Sequence, residues 1–68
     1  MREYSDIFRR YYDSEDGQLV TIPKQAAKYI RHSCPLLDLY VVDDTVVFVF
    51  DKAASKPLYE LWNKRKLV

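Results

Sequence analysis

Leu36-Leu37-Asp38-Leu39-Tyr40-Val41-Val42-Asp43-Asp44-Thr45-Val46-Val47-Phe48-Val49-Phe50 is the stretch on which the fold turns. Two runs rich in Val, Leu, Phe and Tyr flank a pair of aspartates, which is the pattern of a β-hairpin. Asp tolerates left-handed backbone angles, so Asp43-Asp44 can form a two-residue turn, although Asn-Gly or Asp-Gly is the stronger signal. Such a turn pairs Val42 with Thr45, Val41 with Val46, Leu39 with Phe48 and Leu37 with Phe50, and a four-residue loop keeps the same pairing. Side chains alternate across a strand. One face therefore carries Leu37, Leu39, Val41, Val46, Phe48 and Phe50, all apolar, and is the expected core. The other carries Asp38, Tyr40, Val42, Thr45, Val47 and Val49.

Working outward, the segment before the hairpin predicts a short helix from Pro23 to His32. Proline suits a first helical turn, where its missing N–H costs nothing. Ala26, Ala27 and Ile30 are its apolar positions, and Ser33-Cys34-Pro35 ends it. Gln18 to Ile22 is β-prone and allows a third short strand. Asp13-Ser14-Glu15-Asp16-Gly17 is a turn. Upstream of it Tyr4, Ile7, Phe8, Tyr11 and Tyr12 fall at i, i+3, i+4, i+7 and i+8, the stripe of an amphipathic helix. Downstream of the hairpin, Ser55 as N-cap, Pro57 in the first turn and Leu58, Leu61 and Trp62 as a stripe predict a last helix, closed by Lys64-Arg65-Lys66. The expected fold is α+β in one domain: a central antiparallel hairpin flanked by N-terminal, middle and C-terminal helices.

Composition narrows the function. At 68 residues and 8.1 kDa the chain makes one small domain, and such chains bury only about 60% of their unfolded surface. One Cys excludes a disulfide framework and a Cys-rich zinc site. One Gly excludes a glycine-rich phosphate loop. The acidic run before Gly17 does not fit an EF-hand, because with Gly17 at the sixth loop position Tyr12 would stand first and Pro23 twelfth. His32 and Cys34 lack a third orienting group, so no nucleophilic pair is assembled. A non-enzymatic protein is expected, with no cofactor, metal or small-molecule substrate. No apolar run approaches the ~20 residues of a membrane span, and the N-terminus has no signal-peptide pattern. The expected location is the cytoplasm, with no membrane partner.

Two features point to binding. The second hairpin face would leave Tyr40, Val42, Val47 and Val49 bare unless the N-terminal aromatics or another chain cover it, and uncovered patches of that kind mark interfaces. Tyr40, Val42, Val47, Val49, Tyr4, Phe8, Tyr11 and Tyr12 are thus the candidate contacts for a protein partner or a homodimer. Charge supplies the second feature. The net charge of +1 hides alternation, with residues 36–51 at −4 and 52–68 at +4. Lys24, Lys28 and Arg31 line one helical face beside Gln25, Tyr29 and His32. That stripe could grip nucleic-acid phosphates with Gln or Tyr reaching a base edge.

Two family patterns match parts of the chain. The stretch from Gln25-Ala26-Ala27-Lys28-Tyr29-Ile30 through Val47-Phe48-Val49-Phe50-Asp51 to Leu58-Tyr59-Glu60-Leu61-Trp62-Asn63 resembles a family of short proteins of unknown function from Gram-positive bacteria and their phages and mobile elements. That resemblance implies a mobile-element context and carries over no site residue. Gly17-Gln18-Leu19-Val20-Thr21-Ile22-Pro23-Lys24 is similar to the opening strand and helix start of swapped-hairpin transcription factors of the AbrB type. Here Gly17 lies one residue further from Ile22, and Cys34-Pro35-Leu36 stands in place of a Gly-Asp turn. The similarity implies an interlaced dimer that contacts DNA, with Lys24 on the motif. The functional expectation is a small interaction or regulatory protein, the alternative a dimeric DNA-binding regulator.

Overall fold

A computed structural model describes all residues, Met1–Val68. In chain order the elements are β1 (Arg2–Ser5), β2 (Arg10–Asp13), a single 3₁₀ turn (Ser14–Asp16), β3 (Gly17–Val20), α1 (Pro23–Arg31), β4 (Leu36–Val42), β5 (Thr45–Asp51) and α2 (Lys52–Asn63). Strands β3, β5 and β4 form an antiparallel sheet in that order, and β1–β2 form a separate hairpin. The architecture is α+β with two helices and five strands, which corrects the expectation of three helices around one hairpin.

The central hairpin is the element that the sequence describes best. Asp43 and Asp44 adopt φ of 48° and 65°, both left-handed as a tight two-residue turn requires. Val42–Thr45, Val41–Val46 and Leu39–Phe48 pair as anticipated. The register then shifts, so that Phe50 pairs with Leu36 rather than Leu37. Leu37 is the extra residue of a β-bulge. The third strand is real, running Gly17–Val20 and pairing Leu19 with Val49 and Val20 with Phe48. Its placement makes β5 the central strand and explains why Phe50 and Val49 are buried on opposite faces.

The N-terminal segment is a hairpin, not a helix. Ser5 accounts for part of this: its Oγ accepts the Phe8 N–H at 3.2 Å and its carbonyl accepts the Arg9 N–H at 2.7 Å. Arg9 then turns left-handed at φ 54°. The Ser5–Arg9 bond is of the helical i+4 type and the Ser5–Phe8 bond is an N-cap, so Ser5 opens a single turn that left-handed Arg9 ends at once, and a short isolated helix is marginal in water anyway. The strand pairing sets Glu3 opposite Tyr12 and Tyr4 opposite Tyr11. Glu3, Ser5, Arg10 and Tyr12 therefore share the face turned toward the three-stranded sheet, with Ser5 wholly buried.

The two helices cover the opposite face of that sheet. Their core joins Val20, Ala26, Tyr29, Cys34, Phe50 and Leu67, with Phe48, Leu58 and Trp62 packed against it. Tyr29 meets Phe50 edge-on at 5.1 Å. The buried side of α1 is Gln25, Ala26 and Tyr29, while Ala27 and Ile30 are exposed, so the expected apolar face is rotated. The helix layer does not reach the turn end of the hairpin. Val41 and Val46, assigned to the core from sequence, are exposed there, whereas Val47, Val49 and Asp38 on the other face are buried beneath the N-terminal hairpin. Helix α2 starts four residues earlier than the Ser55 cap implies. Asp51 ends β5 and caps α2 at once, its Oδ2 accepting the Ala54 N–H at 2.9 Å, which leaves Pro57 inside the helix.

Candidate binding surfaces

The N-terminal hairpin sits over the sheet like a flap and leaves a cavity of about 580 Å³ between them. Two polar contacts from its inner face hold it down. Tyr12 donates its hydroxyl to Asp38 Oδ2 at 2.8 Å, and Arg10 donates to the Leu36 carbonyl at 2.6 Å. Asp38 also accepts the Leu39 N–H on Oδ1 at 2.8 Å. Burial, with the Asp38 carboxylate as acceptor and neighbouring charge, pushes the Tyr12 phenol above its ordinary range, so it stays a donor. Tyr4, Tyr40, Glu3, Asp6, Leu19 and Val49 complete most of the wall.

The expected interface residues divide between two environments. Val47 and Val49 are buried under the chain's own hairpin, and Tyr12 is half-buried by its bond to Asp38. Tyr40, Val42, Tyr4, Phe8 and Tyr11 remain exposed. On the outer face of the N-terminal hairpin Tyr4 packs edge-on against Tyr11 at 4.9 Å, and the Arg2 guanidinium lies 4.9 Å above the Tyr11 ring. Arg10 lies 5.2 Å above Phe8. Aromatic side chains with cations over them make a stiff, amphipathic surface.

The second surface is basic and was only half visible in the sequence. The final residues run back along α1: Lys28 donates to the Leu67 carbonyl and His32 Nε2 to the Val68 carbonyl, both at 2.8 Å. Lys24 and Lys28 thereby come beside Trp62, Asn63 and Arg65 around a cleft of about 460 Å³. Lys28 Nζ lies 5.5 Å above the Trp62 ring. Of the three cations expected to meet phosphates, Lys24 and Arg31 are exposed and Lys28 is half-buried in this structural role. Gln25 and Tyr29, expected to reach a base, instead hydrogen-bond each other at 2.8 Å inside the core. The contribution of Arg65 and Trp62 was missed because it depends on the chain's return path, which helix periodicity does not encode.

No Lys or Arg side chain lies within 4.0 Å of a carboxylate; the ion pairs are those of the Met1 amino group with Asp13 and Glu15. No three His, Cys, Asp or Glu residues stand close enough to hold one metal ion. The Cys34 thiol is buried, which raises its pKa and disfavours the thiolate. No helix is long and apolar enough to cross a membrane. No protein-family model, curated protein or solved structure matches the chain, so neither family resemblance gains or loses support from comparison.

Proposed function

We propose that this protein is a small non-enzymatic interaction or regulatory module, acting through the aromatic outer face of its N-terminal hairpin and self-associating there. The observation that carries this reading is the open Tyr4–Tyr11 pair with Arg2 stacked over it, next to exposed Phe8 and Tyr40. Tyr and Arg are the residue types that dominate interface energetics. With about 200 Å² per fully exposed ring, these four aromatics present roughly 370 Å² between them. Ile7, Leu19 and Val42, also exposed, raise the apolar area to roughly 600 Å², against about 800 Å² per partner in a standard interface. Sedimentation velocity from low to high micromolar concentration tests the proposal. A dimer is expected, weakened at least tenfold by Tyr11→Asp. A monomer throughout the range would remove self-association.

A second reading, nucleic-acid binding, is favoured by one specific observation: the unpaired cations that converge on α1 and the returning chain. With about four phosphate contacts, affinity for duplex DNA should fall roughly 100-fold between 50 and 200 mM salt. Fluorescence anisotropy with a labelled duplex measures this. Lys24→Glu and Arg65→Glu are the informative variants, because reversing Lys28 would also cut its bond to Leu67.

A further inference from the structure

We infer that the cavity beneath the N-terminal hairpin is a binding site for an organic cation, the guanidinium or ammonium head of a basic side chain. Its walls combine three carboxylates, Glu3, Asp6 and Asp38, with three phenol rings, Tyr4, Tyr12 and Tyr40, and no Lys or Arg. Asp38 is the decisive member. It is only 5% exposed, and its two hydrogen bonds come from neutral donors, the Tyr12 hydroxyl and the Leu39 N–H. No cation lies within 4.0 Å of it. Buried charges are ordinarily paired, so this carboxylate stands without the counter-charge that such a position calls for. The volume, about 580 Å³, is that of a small-molecule site.

The alternatives fit worse. An anion would meet three carboxylates and no positive group. A metal ion needs ligands that converge, and these carboxylates are too far apart to share one. A delocalised cation suits both wall types, since it draws on ring quadrupoles and carboxylates at once. The site borders the proposed self-association surface and shares Tyr4, Tyr40 and Leu19 with it, whereas Ile7, Phe8 and Tyr11 lie outside its walls.

NMR titration of the full chain with N-acetyl-arginine amide at constant ionic strength tests the inference, with N-acetyl-glutamine amide as the neutral control. Saturable shifts confined to the cavity residues, among them Leu39 and Tyr40, are expected for arginine and not for glutamine. The exposed pair Glu3→Gln and Asp6→Asn together should weaken binding at least tenfold. Phe8→Ala, which trims the outer face at a residue outside the cavity walls, should leave it unchanged whether or not the protein dimerises. A peptide of residues 63–68 supplies a further arm: tighter binding than the arginine amide makes a second copy's basic tail the source, and weaker binding makes it a foreign partner. Unsaturable or scattered shifts, equal response to glutamine, or an unaffected double variant would overturn the site.

Discussion

Gly17 shows how a single residue positions a layer. Its φ is an ordinary −102°, so backbone freedom is not the reason for glycine here. A Cβ at this position would stand 2.6 Å from Val49 Cγ1. Val49 is 1% exposed and pairs with neighbouring Leu19 in the sheet, so it has little room to yield. Gly17→Ala is expected to destabilise the fold by about 1–3 kcal/mol through overpacking, measured as a lower urea midpoint with unchanged slope. From the sequence Gly17 is a turn former and nothing more. Its close approach becomes visible only when β3 is laid against β5.

Pro57 belongs to the scale of the element. In α2 it removes one N–H and leaves the Ala53 carbonyl without the partner a helix ordinarily supplies. The helix forms regardless, because Asp51 caps it and Ala54, Leu58 and Trp62 anchor it to the core. Pro57→Ala should therefore stabilise the protein by about 1–3 kcal/mol, seen as a higher melting temperature and greater far-ultraviolet helicity. The N-terminal segment teaches the converse lesson. Tyr4, Ile7, Phe8, Tyr11 and Tyr12 satisfy a helical period, yet tyrosine and phenylalanine also favour strands. A period shared by two structures cannot choose between them. Arg9, which ends the turn opened by Ser5 in a left-handed conformation, and Asp38, receiving Tyr12, decide for the hairpin.

Across the whole molecule, three groups in different layers respond to pH in the same direction. Burial raises the Cys34 thiol and the Tyr29 phenol in the helical core, and burial and Asp38 raise Tyr12 under the flap. Each ionises more readily in the unfolded chain. Above the ordinary cysteine value of 9.0 and tyrosine value of 10.0 the unfolded state thus binds fewer protons, and stability falls as pH rises. Thermal melts by circular dichroism from pH 7 to 11 should show a melting temperature that declines above about pH 9, less steeply in Tyr12→Phe. A flat profile would contradict the linkage. The surface points to association at the same scale. A compact chain of 8.1 kDa exposes about 4,500 Å², whereas this one exposes 5074 Å². Its radius of gyration of 11.8 Å likewise exceeds the roughly 11 Å expected for its length.

The local elements whose signals are backbone signals were legible in the amino-acid sequence. The Asp43-Asp44 turn, the pairing of β4 with β5, the helix beginning at Pro23 and the strand before it all follow from turn chemistry, proline geometry and β-propensity. The basic residues of α1 were legible too, but their company was not. Which sheet face is covered, where Leu37 bulges, and how Tyr12 meets Asp38 or Lys28 meets Trp62 depend on groups 11 to 34 residues apart. Periodicity describes which side chains share a face of one element. Only the packed chain decides what that face meets, and here the N-terminal hairpin buries Val47 and Val49, leaves Tyr40 and Val42 exposed, and encloses an acidic, tyrosine-walled cavity.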